Sequence, residues 1–431
     1  MFLQHSYPVS GKYGVIRPGF WRLSTATCAV IVSSCTAILI ARVLGPGDFG
    51  IYMFVLWLAT VAVPAVGVGM STVTSRHIAE IQASEELRIV AGTFQFVWQR
   101  QYKSIVVYCV MYLCLAVPIS WFFGASTPLL LLFLAGLSAL PLLLSSVVGT
   151  TLRSLRRFDL LAGIHLFGVA STLLLMLLAT QFQGQPVGVF LLASAVACTL
   201  TLTMALIFVV RLLPMKHALQ PGALLQGRLT RGLNNSLLLF TLDVIVWQRS
   251  EIVWLARGHS TEALGFYALS ATISTHMIDI SPTLLSTCIL PLLLRYVPGQ
   301  HYTNVGDAFV KTSLYIACLA VPLCLGAIVF CPALISFCFG KVYLPAVAPL
   351  RILLISAVFG SVSTVSLTHL ANSKFRHAQV CLGAGAAALN IVLAIPFVVF
   401  WGMTGAALAS ATAQIVSAAG SIVLCKKLMF G

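Results

Sequence analysis

Long apolar runs alternate with short polar clusters from one end of this chain to the other. Three stretches, 104–152, 160–210 and 377–425, contain no Asp, Glu, Lys or Arg. At 49, 51 and 49 residues, each is long enough for two helices of about 20 residues across an apolar layer of roughly 30 Å. The runs predict twelve spans, at about 23–42, 50–74, 104–123, 128–149, 160–179, 188–210, 233–256, 263–291, 312–332, 346–370, 378–399 and 404–424. The punctuation between them fits. Gly45-Pro46-Gly47, Gly124 to Pro128, Gln181 to Pro186 and Trp401-Gly402 are short breaks of the kind that reverse a helical chain. Pro282 is expected to break span 8. Two longer polar connections, Ser75 to Lys103 and Arg295 to Lys311, flank a basic linker, Arg211 to Arg231.

One stretch occurs twice. Ile38 to Tyr52, ILIARVLGPGDFGIY, and Val253 to Tyr267, VWLARGHSTEALGFY, both end an apolar run in Ala-Arg. Each has Gly eight residues after the Arg and Tyr two after that Gly. The offset is 215 residues in a chain of 431, which points to internal duplication of a helix-loop-helix unit. The expected division is therefore 1–215, an N-terminal six-helix bundle, and 216–431, a C-terminal one.

Composition narrows the class. The chain is 59% hydrophobic and 8% charged, with mean hydropathy +1.01, whereas soluble domains carry about 25% charged residues. This is the inventory of an all-α polytopic membrane protein. The net charge of +15 invites a nucleic-acid reading, but the basic residues sit in short clusters between spans and line no single surface, so no nucleic acid is expected. With the N-terminus in the cytoplasm, 20 of the 25 Lys and Arg fall on the cytoplasmic side. Four (Arg42, Arg257, Lys341 and Arg351) fall opposite, and Arg249 lies inside span 7. That bias favours an even number of spans with both termini cytoplasmic. The twelve cysteines show no CxxC pair and no Cys/His ligand spacing, and read as small apolar groups; no metal or cofactor is expected. The first apolar run lacks a convincing cleavage site and serves as span 1. There is no G-x-x-x-x-G-K-[ST] nucleotide loop.

Four segments carry a family resemblance. They are ARVLGPGDFGIY at 41–52 running on through GVGMSTVTSRHIAE at 67–80, EIVWLARGHSTEALGFYALS at 251–270, FGKVYLPAVAPLRILL at 339–354, and LNIVLAIPFVVFWGMTGAALASA at 389–411. On these the sequence resembles the polysaccharide flippase branch of the multidrug/oligosaccharidyl-lipid/polysaccharide exporter superfamily. It departs from the family pattern at Gly258-His259-Ser260, where Leu-Gly-Pro is usual, and at Glu251, where Asp is frequent. The resemblance implies two pseudo-symmetric six-helix bundles around a central cavity, working by alternating access. The cargo it implies is a polyprenyl-pyrophosphate-linked oligosaccharide, moved across a bacterial inner membrane for surface polysaccharide such as lipopolysaccharide or exopolysaccharide. H⁺ or Na⁺ would drive it, the protein would act as a monomer, and a polysaccharide polymerase and other assembly proteins would be its partners. The alternatives are an organic-cation antiporter of the same superfamily, a peptidoglycan-precursor flippase, a purely structural membrane scaffold and, from a different class, a membrane glycosyltransferase. The longest hydrophilic connection, 29 residues, leaves little room for a glycosyltransferase site.

Charges within spans are the site candidates, because each costs several kcal/mol unless paired or wet. Arg249 is the one cation at depth and is expected to hold the anionic headgroup bidentately; pairing with Asp243 or Asp279 is the structural alternative. Asp243 and Glu251, eight residues apart on one helix, are expected either to border a cavity, accepting sugar hydroxyls or exchanging the coupling ion, or simply to neutralise Arg249 locally. Asp279 is grouped with them as a substrate contact, and His276 as a proton carrier. Arg42 and Arg257 are expected either to anchor helix ends or to form an outer gate with Asp48 and Glu262. Gly67, Gly69 and Pro282 are hinge candidates. Arg153, Arg156 and Arg157 form the densest basic cluster, suited to steering an anionic lipid or simply to fixing topology.

Overall fold

A computed structural model describes residues 16–60, 87–123, 129–155, 157–182, 186–219, 251–258, 260–284, 305–372 and 376–427. Ten α-helices account for nearly all of them: α1 Ile16–Thr60, α2 Leu87–Phe123, α3 Leu129–Ser154, α4 Phe158–Ala179, α5 Pro186–Leu212, α6 Glu251–Gly258, α7 Thr261–Leu284, α8 Val305–Cys338, α9 Val347–Asn372 and α10 Arg376–Cys425. A 3₁₀ turn, Lys341–Ala346, joins α8 to α9. Each helix falls on expected spans; most of span 7 and the second half of span 2 lie outside the described residues.

Two of the helices are too long to cross a membrane once and are turned by a glycine. Gly45 in α1 has φ 72° and Gly402 in α10 has φ 57°, the left-handed region that side chains avoid. In α10 the result is an antiparallel hairpin. A Cβ on Gly405 would lie 1.8 Å from the Phe397 carbonyl oxygen, and one on Gly420 would lie 2.5 Å from Leu382 Cδ1; both pairs are equidistant from Trp401. The helix α2 differs from expectation in the other direction. It starts at Leu87 and so takes up half of the polar Ser75–Lys103 connection. Its first turns bury Val90, Ala91 and Phe94 against Leu152 of α3 and Val209 of α5, so apolar packing extends the helix beyond the membrane-length run.

Nor does Pro282 break its helix: α7 continues to Leu284. A proline lacks an N–H, which frees the carbonyl four residues earlier. Here that is Ile278, whose oxygen instead accepts the Ser361 hydroxyl of α9 at 3.0 Å. The same repair recurs at Pro332, where Arg351 Nε donates to the freed Ile328 carbonyl at 3.4 Å.

Packing is mostly within each half of the sequence: α1 with α3, α4 and α5, then α9 with α7, α8 and α10. The principal contact across the halves is α1 with α7. A single apolar core runs through it, from Ile40, Phe54 and Leu132 to Leu264, Leu353 and Ala406. Outward positions are apolar too, with Phe337 80% and Phe400 76% exposed, as a lipid-facing surface requires.

Candidate functional site

The repeated stretch forms the seam between halves. A Cβ on Gly50 would stand 2.2 Å from the Thr261 carbonyl oxygen, and one on Gly265 would stand 2.1 Å from the Pro46 carbonyl oxygen. Each glycine therefore packs on the carbonyl four residues before the other. That reciprocity is the mark of a local twofold relation, and it puts both copies at the same end of the molecule.

The rest of that end is tied across the halves by polar contacts to backbone. Arg42 donates to the carbonyls of Cys338 (2.7 Å) and Phe337 (2.5 Å), the last of α8, where unsatisfied oxygens and the helix dipole attract a cation. Tyr343 donates to the Ala41 carbonyl at 2.7 Å and packs its ring against Phe49 and Phe266. Of the two roles expected for Arg42, a helix-end anchor or a gate with Asp48, the contact observed is to a helix end, because the α8 terminus supplies two oxygens within reach. Glu262 lies beside Gly47, and Arg257 is exposed at the end of α6.

Below the seam, Glu251 is the one charged side chain among the described residues with no exposed surface. Its Oε1 accepts the Tyr267 hydroxyl of α7, and its Oε2 accepts Asn390 Nδ2 of α10 at 3.0 Å. Asn390 Oδ1 is buried without a partner. Glu251 was expected to border a cavity; instead it joins three helices, since two neutral donors reach it and nothing leaves it open. The group is a carboxylate neutralised by no cation among the described residues, with a spare amide oxygen beside it. Such an arrangement can take up a proton or a small cation. Serine hydroxyls stitch the same half together: Ser270 to Ala346 O, Ser274 to Leu353 O, and Ser356 to Gln414 Oε1.

In the other half, a cavity of about 330 Å³ lies among α1, α3, α4, α5 and α7, with Tyr52 on its wall. His276 is exposed on α7, and Asp279 lies one turn on, its side chain outside the described residues. Asp243, Arg249, Gly67 and Gly69 also lie outside the described residues. At the far end of α4, Arg157 holds Asp159 bidentately at 3.0 and 3.1 Å, a largely exposed pair of small energetic weight.

Sequence reasoning singled out Glu251 but not its partners. Asn390 carried a usable signal, as the one asparagine in the charge-free stretch 377–425. Tyr267 had only its place in the repeat, and nothing local marked Tyr343 as a tie to Ala41.

Comparison with known proteins agrees with this architecture. The family described as polysaccharide biosynthesis protein matches residues 39–348, which include the second copy of the repeat and all of the first but Ile38. In fold the chain is similar to the lipid II flippase MurJ in an inward closed conformation, at 14% identity and TM-score 0.67, covering 94% of this chain and 87% of that one. It is also similar to an inward-facing multidrug resistance MATE family transporter of the MOP superfamily (14% identity, TM-score 0.69, 95% and 98% covered). An outward-facing structure described in the same words gives TM-score 0.57 at 12% identity, with 96% and 94% covered. No curated protein sequence matches the chain.

Proposed function

The chain belongs to the polysaccharide biosynthesis protein family of the MOP superfamily, and on that premise we propose that it flips a polyprenyl-pyrophosphate-linked oligosaccharide from the cytoplasmic to the outer leaflet. It does so by alternating access between the halves 1–215 and 216–431, without covalent chemistry. The observation that carries the reading is the family match across 39–348. Three structural features support the mechanism. The seam at Gly50 and Gly265 closes one end, which the distribution of Lys and Arg assigns to the outside. The fold is nearer to the inward-facing than to the outward-facing transporter. Glu251, buried with Tyr267 and Asn390, is the ion-coupling group, exchanging H⁺ or Na⁺ as the halves move. Arg249 meets the pyrophosphate, with Asp243 and Asp279 bordering the same path and His276 a second proton carrier.

The test is the sidedness of undecaprenyl-linked intermediates in cells lacking this protein. Glycan should accumulate on the cytoplasmic side, and wild-type but not Arg249→Ala protein should release it at equal membrane abundance. Normal outward appearance of the intermediate, with altered resistance to organic cations, would establish the antiporter instead.

A further inference from the structure

We infer that the cavity in the N-terminal half is a subsite for one uncharged sugar ring of the cargo, a deepening that rests on the glycan-flipping reading above. Thr36 precedes Glu251 by 215 residues, the offset that relates Tyr52 to Tyr267. Thr172 lies on the fifth expected span as Asn390 lies on the eleventh. So where one half joins tyrosine and asparagine through a carboxylate, the other places Thr36 and Tyr52 at the same offset and Thr172 one turn before the offset position Leu175, and these three line an open space of about 330 Å³.

The chemistry of the lining selects the ligand. Ser33, Thr36, Thr60, Ser138, Thr172 and Ser194 all line it. Each spends its proton on a carbonyl three or four residues earlier in its own helix, so their oxygens remain as acceptors. Tyr52, 3% exposed, makes no hydrogen bond among the described residues and offers one donor. Thr272 of α7 bonds within its own helix as the other threonines do; the rest of the wall is apolar but for Cys198, and no charged side chain lines it. An ion in such a site would lack a counter-charge at a cost of several kcal/mol. An isoprenoid chain would leave the buried Tyr52 hydroxyl without an acceptor. A neutral sugar matches both surfaces, since its C–H face is apolar and its hydroxyls donate. The volume is at the small end of the ~300–1,000 Å³ typical of ligand pockets, which suits one ring and excludes an oligosaccharide. Leu269 and Thr272 of α7 close one wall, so separation of the halves uncovers the site.

Cys198 also lines the cavity and serves as the reporter. In full-length protein in lipid nanodiscs, with Cys198 the sole cysteine, uncharged methyl methanethiosulfonate should modify it. N-acetylglucosamine, glucose or fucose should slow that modification, by half at a concentration equal to Kd and by about tenfold near saturation; glucuronate and farnesol should not. Tyr52→Phe with Thr172→Val should abolish the protection. Protection by farnesol alone would make the site a lipid pocket and overturn the inference, as would equal protection by glucuronate. So would a Cys198 that no sugar protects, or that the small reagent cannot reach. The outcome is separable from the sidedness measurement: flipping without protection removes the subsite alone, whereas protection without flipping removes the function and leaves a sugar site.

Discussion

Tyr52 and Tyr267 end equivalent copies of one segment, and both are almost wholly buried, 3% and 0% exposed. Tyr267 donates to Glu251 and helps hold α6, α7 and α10 together, while Tyr52 borders a cavity. The hydroxyls around them follow suit. In the C-terminal half, serines of α7 donate to carbonyls of other helices; in the N-terminal half, the serines and threonines at the cavity donate to their own helices. Around Tyr267 the polar groups thus cross-link helices, whereas around Tyr52 they leave a space free to hold a guest. Buried polar links of this kind are worth roughly 0.6–2 kcal/mol each between membrane helices.

The largest way to break that contrast is Glu251→Leu. It strands the Tyr267 hydroxyl and the Asn390 amide, at about 1–3 kcal/mol per unsatisfied group, and should lower the unfolding temperature in detergent sharply as well as stop transport. Thr36→Leu, at the matching place, should cost less than about 1 kcal/mol because it fills open space. Glu251→Gln separates the two roles of the carboxylate. Its amide can donate to the unpartnered Asn390 Oδ1 once the asparagine turns over, so stability should stay near wild type while ion-driven transport is lost. Retained coupling in that variant would remove Glu251 from the ion path.

Next in size is the tyrosine pair itself. Tyr267→Phe takes a donor from a buried carboxylate and should cost about 1.5–3 kcal/mol. Tyr52→Phe should fall within about 0.5 kcal/mol of wild type. Equal losses in thermal unfolding would erase the comparison.

Gly50→Ala and Gly265→Ala test what the halves share. Each new methyl collides with a carbonyl of the other copy, and overpacking of this kind costs about 1–3 kcal/mol. Because the clash exists only when the seam is shut, the population should shift roughly tenfold or more toward the open form, read as faster thiol labelling of a Leu264→Cys reporter, a position 3% exposed with the seam shut. The two substitutions should act alike; a large difference would contradict the reciprocal contact.

The smallest effect belongs to Arg42→Ala, which uncaps the end of α8 at about 0.3–1 kcal/mol. Arg42→Lys should recover part of it in the same labelling assay.

The helices were legible in the sequence because their signal is local: charge-free runs of a length the bilayer dictates, broken by Gly45-Pro46-Gly47 and Trp401-Gly402. Glu251 was legible for the same reason, as a carboxylate in an apolar run. Its partners were not, since Tyr267 is 16 residues away and Asn390 is 139, and only the folded bundle brings them together. Arg42 was legible as a helix-end anchor or a gate residue, but not in its contacts: the two carbonyls that hold it are nearly 300 residues away. Pro282 was read from its own covalent limits, and the hydroxyl that compensates it belongs to another helix.

The glycine pair at the seam has a kinetic consequence. A gate built from side chains must freeze rotamers each time it shuts, at up to about 2 kcal/mol for each long side chain. Where Gly50 and Gly265 meet, the contact is main chain on main chain, with no rotamers to order. Shutting at that point therefore needs only the rigid-body approach of two helices, and its rate should depend on the lipid viscosity that resists the movement of the bundles more than on any local search within the seam.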